Sequence, residues 1–171
     1  MPPANRSALF VVLALILWAG VGWYNSDSRQ IGRQLDELRS LVSKRSGETQ
    51  LESLSKGNSI GSMFAENFEV RADQLNINTR DKRTAVGAVM RYRSRSRSIN
   101  MDISNHHLFV DSKIRRATSN LTVDFNHRLG ALERRESYHL EINWVDESDG
   151  WKIDYVNLVE IQNPSESARQ P

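Results

Sequence analysis

The sequence predicts an α+β fold: an N-terminal transmembrane helix, a juxtamembrane helix, and then a curved antiparallel sheet wrapped on helices. Three observations carry this. Residues 7–24, SALFVVLALILWAGVGWY, contain no charge. Apolar residues then recur at helical spacing as far as Tyr92. From Ile99 onward the period changes to two, and turn-rich breaks divide the rest into about four strand-like runs.

The uncharged run comes first. As a helix, 18 residues reach about 27 Å, close to the thickness of a hydrocarbon core. Trp18, Trp23 and Tyr24 crowd its C-terminal end, where an aromatic belt meets the membrane interface. The run exceeds the apolar core of a cleaved signal peptide, and its basic flank is only Arg6 and the amino terminus. A retained single-pass anchor is the expectation, after a short tail of residues 1–6. Basic residues flank the run more heavily on the C-terminal side, which argues against an inside N-terminus. A short tail before a soluble domain argues the other way, as an uncleaved signal anchor. The second argument is followed here. The predicted location is a bacterial inner (cytoplasmic) membrane, with the C-terminal domain extracytoplasmic, in the periplasm.

Residues 25–58 read as a juxtamembrane helix and linker. Ile31, Leu35, Leu38 and Val42 share one helix face, Asp27 or Ser28 caps its start, and Gly47 ends it. Two heptads are few for a coiled coil, so the stripe is expected to pack on its own domain. LESLSKGNS reads as a break, punctuated by Gly57 and Asn58. The globular domain is placed at residues 59–161 and a disordered tail at 162–171. Ile60, Met63, Phe64 and Phe68 lie near one helical face. FEVRADQL reads as a short strand. TRDKRTAVGAVMRY reads as a helix capped by Thr79, with Ala85, Val86, Val89 and Met90 on its apolar side. Alternation follows in Ile99–Met101–Ile103, in Ala117 to Phe125, in Tyr138 to Trp144, and in Trp151–Ile153–Tyr155.

Charge is uneven. Residues 80–100 hold seven bases and one acid, net +6, whereas residues 136–171 hold eight acids and two bases, net −6. A two-pole molecule argues against general polyanion binding. With no cysteine in the chain, disulfides, thiolate catalysis and Cys-ligated metals are excluded. There is no Gly-rich phosphate loop, no GxSxG and no HExxH. The four histidines lack paired ligand spacing, so no metal and no cofactor is predicted.

FAENFEV, DKRTAVGAVMRY, KIRRATSNLTVDF and above all ESYHLEINWVDESDGWKIDYVNLVEI together resemble the nuclear transport factor 2-like superfamily, which includes SnoaL-like and ketosteroid-isomerase-like proteins. The resemblance implies a cone: a strongly bent sheet folded over helices, often with a pocket in the concavity. Its enzymes use a carboxylate, or an Asp/His pair with a Tyr donor, inside that cone.

Strand parity tests for such a site. If odd positions face inward in 99–109 and 114–127, even ones in 138–144 and odd ones in 151–155, then Asp102, Asp124, Glu141 and Asp154 all face out. The ionisable groups left inside are His107, His127 and Tyr138, with Tyr155 as a further phenol. No carboxylate joins them, so no catalytic residue is assigned. The expected function is a membrane-anchored, non-catalytic binding or assembly module, an accessory subunit of a membrane protein complex. Its partners would be the membrane and other membrane-protein subunits, with a homo-oligomer open and nucleic acid disfavoured. The rival is a SnoaL-like small-molecule enzyme or binder using His107 and Tyr138.

The run RYRSRSRS places Arg91, Arg93, Arg95 and Arg97 where the last helix gives way to the first long strand. They read as a solvated helix end and loop, and as a docking patch for an acidic partner or anionic lipid.

Overall fold

The computed structural model describes residues 26–129 and 132–162. In chain order the elements are α1 (Asp27–Val42), α2 (Gln50–Ser62), β1 (Phe64–Ala72), β2 (Ile77–Thr79), α3 (Lys82–Arg95), β3 (Ser98–Asp111), β4 (Arg116–Leu129), β5 (Leu132–Glu147) and β6 (Gly150–Gln162). The strands form one six-stranded sheet in the order β2-β1-β6-β5-β4-β3. All neighbours are antiparallel except β1 and β6, which run parallel. The α+β prediction of a helix-packed sheet holds. The predicted anchor, with Trp18, Trp23 and Tyr24, lies outside the described residues. Among those residues no helix is long and apolar enough to cross a membrane.

The amphipathic stripe of α1 packs into the core of the sheet. Ile31, Leu35 and Val42 are buried beside Leu121, Val123, Trp144, Trp151 and Ile153. Asp27 at its first turn meets Trp151 Nε1 at 3.4 Å and Ser112 Oγ at 2.8 Å. Farther along, Gln34 Nε2 donates to the Trp151 carbonyl at 2.6 Å. The helix expected to be juxtamembrane is therefore part of the cone.

The expected break over LESLSKGNS is instead helix α2. Its start is a capping box: the Glu52 amide donates to Thr49 Oγ1 at 3.2 Å, and the Thr49 amide donates to Glu52 Oε2 at 2.8 Å. Gly57 serves close approach, because a Cβ there would stand 3.3 Å from Met90 Sδ on α3. Phe64 and Phe68 fall in β1, not on a helix face. Asp81, not Thr79, caps α3, accepting from the Thr84 amide at 2.9 Å.

Helix α3 runs on through the arginine-serine alternation to Arg95. Alternate residues in a helix lie about 200° apart, so Arg93 cannot share the direction of Arg91 and Arg95. Those two are exposed, as is Arg97 beyond the helix. Arg93 is buried, with 1% exposure, which corrects its expected place in a solvated loop. Its guanidinium donates to the carbonyls of Leu41, Val42 and Ser43 at 2.6, 2.5 and 2.9 Å and to the Glu48 carboxylate. It closes the C-terminus of α1, whose last carbonyls have no partner within the helix. Lys56 Nζ joins the clasp, 2.8 Å from Glu48 Oε2.

Strand β3 changes register between Ser104 and His107. Asn105 takes a positive φ of 51°, a left-handed conformation that asparagine tolerates better than most residues. Up to Ile103 the odd positions face the core. Beyond the bulge the even ones do, so Leu108 lies opposite Ser119 and Val110 opposite Ala117. Two further irregularities in the β5–β6 pairing reverse β6 in the same way. Ile153 faces in, but Tyr155 pairs with Asn143 and faces out, against the expected inward phenol.

Candidate functional site

The bulge settles His107. It is exposed on the outer face, while its neighbour His106, also largely exposed, takes the inward parity and reaches Ser119. His106 Nε2 lies 3.1 Å from Ser119 Oγ, which also accepts from Trp144 Nε1 at 3.0 Å. Partial burial, then the neighbouring His107, pushes the His106 pKa down. This is a core-edge histidine with a partner, not a pocket base.

A different cluster forms at the end of the cone where the β4–β5 hairpin lies. Strand β5 begins at Leu132, earlier than the alternation alone suggested, and it stays in register with β4 throughout. Glu136 therefore shares the inward parity of Tyr138, opposite Phe125. The inside carboxylate that parity excluded is present. It was missed because the strand was started too late. Tyr92, on the same stripe of α3 as Ala85 and Val89, descends onto His127.

The geometry is compact. Tyr92 Oη hydrogen-bonds His127 Nδ1. Tyr138 Oη donates to Glu136 Oε2 at 2.7 Å. His127 Nε2 lies 4.0 Å from Glu136 Oε1 and, though buried, has no hydrogen-bond partner. Phe125 fills the space between the phenols, its ring centroid 5.9 Å from that of Tyr92 and 5.7 Å from that of Tyr138. Both contacts are edge-on, the arrangement aromatic quadrupoles favour. Burial first, and then the Glu136 carboxylate, push both phenol pKa values well above their ordinary 10. Both tyrosines therefore remain donors. Tyr92 engages Nδ1, which leaves Nε2 as the ring nitrogen facing Glu136.

Two cavities lie elsewhere. An open groove of about 880 Å3 runs along the α1–α2 turn, lined among others by Ser43, Lys44, Arg45, Asn100 and Glu133. A smaller one of about 230 Å3 lies by Phe109 and Ile114. In the first, Lys44 is committed to the carbonyls of Arg93 and Ser96 and Lys56 to Glu48, so its prominent cations serve the fold. Neither cavity contains the His127–Glu136 cluster. Among the described residues Gln34 Oε1, Arg93 Nε and Asp154 Oδ1 are also buried without a partner, but only His127 Nε2 stands with a carboxylate and two phenols around it, so the cluster is the better guide to a site. Among the described residues no group of three or more metal-ligating side chains gathers to hold a metal.

No protein-family profile matches the chain, and no curated protein matches it. Solved structures share its fold. A candidate scytalone dehydratase from Novosphingobium aromaticivorans superposes with a TM-score of 0.60 at 15% identity, over 80% of this chain and 86% of that one. An NTF2-like protein with a cystatin-like fold from the same organism gives 0.61 at 10% identity, over 98% and 99%. A candidate calcium/calmodulin-dependent protein kinase II association domain from Xanthomonas campestris gives 0.61 at 7% identity, over 78% and 87%. The fold is thus the cystatin-like, NTF2-like cone. At such identities it carries no function, since a dehydratase name and an association-domain name sit on the same scaffold.

Proposed function

We propose that this chain is a membrane-tethered NTF2-like binding module whose cone end receives a small hydroxylated aromatic molecule. The tether is the uncharged run of residues 7–24. The observation that carries the ligand reading is the buried His127 Nε2, unpartnered and 4.0 Å from Glu136 Oε1. An oxygen about 2.8 Å from each atom subtends an angle of about 90°. A hydroxyl there accepts from Nε2–H and donates to the carboxylate. Glu136 is 30% exposed, so its side chain stands at the edge of solvent, where a ligand can reach it. The rings of Phe125, Tyr92 and Tyr138 supply the apolar surroundings. Both phenols are held protonated and already engaged, Tyr92 with His127 and Tyr138 with Glu136, which favours binding over turnover.

Phenol is the simplest probe. Titrated into the full-length protein in neutral micelles, it should shift the long-range 15N imidazole signals of His127 before those of exposed His107. Glu136→Gln should weaken that response about tenfold, by removing the charged acceptor. His127 signals that stay fixed up to the solubility of phenol would reduce the cluster to a polar closure of the core.

A further inference from the structure

The fold gathers arginines that the sequence keeps apart. Arg91 and Arg95 stand on the exposed side of the last turns of α3. The Arg97 amide donates to the Arg128 carbonyl at 2.8 Å, which joins the start of β3 to the end of β4. Across the β4–β5 hairpin, Arg134 pairs with His127 and Arg135 with Asn126. Six exposed arginines thus surround one tip of the cone, drawn from segments 91–97 and 128–135. Arg128 has a weak ion pair with Glu133 at 3.8 Å. No ion pair links the other five to an acid among the described residues, whereas Arg115 and Arg116 at the far end pair with Asp146 and Asp154. Unneutralised like charges at one end repel one another and work against folding. Their concentration calls for an anionic partner.

We infer that this tip docks an acidic segment of a partner protein. All six bases are arginine, whose planar fork engages carboxylates in pairs of hydrogen bonds. Two other anionic surfaces fit less well. Single-stranded nucleic acid needs exposed rings on which bases stack, but Tyr92, Phe125 and Tyr138 are turned into the cone and packed on one another. Lipid headgroups are on the wrong side. The described chain starts at Ser26, and Asp27 contacts Ser112 in the β3–β4 turn. Lys44, just beyond the other end of α1, bridges to Ile99 at the beginning of β3. The 16 residues of α1 place those ends about 24 Å apart. On the tether proposed above, the chain enters the cone at Ser26, at the end opposite the arginines.

The test uses the full chain in neutral phosphatidylcholine nanodiscs and a fluorescent decaglutamate peptide, read by anisotropy. Binding is expected to weaken steadily as salt rises. The triple variant Arg95→Gln, Arg134→Gln and Arg135→Gln should lose about tenfold in affinity with an unchanged melting temperature. Lys113→Gln, which removes a positive charge at the other end, should bind as the parent does. The inference is overturned if the triple variant binds the peptide like the parent, or if Lys113→Gln loses as much. It is equally overturned if a single-stranded decanucleotide or phosphatidylglycerol vesicles engage the arginines more tightly than the peptide.

Discussion

Arg93 shows how one side chain can leave its neighbours' company. Within a run that reads as uniformly solvated, it is the one arginine that is buried, clasping the end of α1 and Glu48. Glu48 is itself 5% exposed. Burial raises the Glu48 pKa, but hydrogen bonds from Lys56 and Arg93 outweigh it and hold the carboxyl below its ordinary 4.5. Arg93→Gln should cost about 3–5 kcal/mol, since one partner of a buried pair is removed while the other stays. Arg91→Gln and Arg95→Gln should each stay within about 0.5 kcal/mol of the parent. Urea melts of the three variants separate these outcomes. The clasp also sets a pH dependence. Because the folded pKa is depressed, the unfolded chain takes up the proton first. The contribution is complete above about pH 5 and is lost as pH falls through the folded value. Urea midpoints of Arg93→Gln should therefore fall less steeply with acid than those of the parent.

At the scale of elements, the bulge at Asn105 decides which histidine faces the core. Asn105→Val should destabilise by about 1–2 kcal/mol, because a β-branched residue resists the left-handed backbone. Asn105→Gly should be close to neutral. Denaturation midpoints of the pair distinguish a backbone requirement from loss of the long Asn105–Thr122 contact, which both variants remove. The same bulge explains where sequence reasoning stopped. Period-two alternation is legible one run at a time, and it placed Ile99, Met101, Leu121, Val123, Ile142, Trp144, Trp151 and Ile153 on the buried side, where they are. One inserted residue reverses everything after it and leaves no mark in composition, so His107 and Tyr155 were turned the wrong way. Glu136 failed for a different reason. Its strand starts in polar residues, Glu133 to Arg135, which carry no apolar alternation to extend. The capping box of α2 is legible in TQLE, but Gly57 and Asn58 direct the reading to a break. Arg93 had a signal too: it follows Tyr92 at the end of a helical stripe, and a helix prolonged by one turn turns it inward.

For the whole molecule, the proposed tether is the reading with the widest consequence. Full-length protein should stay with membranes after carbonate extraction, while a chain beginning at Ser26 should remain in the supernatant. Release of the full-length chain by carbonate would remove the membrane from the proposed function and leave the cone unchanged. The likeness to solved structures extends to the cone, and nothing in that likeness bears on where the cone is held.

The dependence of α1 on β6 has a consequence for biosynthesis. Asp27 and Gln34 meet Trp151, 124 and 117 residues later in the chain. β1 likewise waits for β6 as its parallel neighbour. At 5–20 residues per second, a ribosome needs roughly 5–22 s to supply the tryptophan after α1 has been made. Until β5 and β6 are added, the stripe of Ile31, Leu35 and Val42 lacks the complete sheet that covers it, while the apolar run before it has already been synthesised. The nascent chain is thus at its most adhesive early, and a holding chaperone or rapid delivery to the bilayer would act on the first third of the sequence rather than on the finished cone.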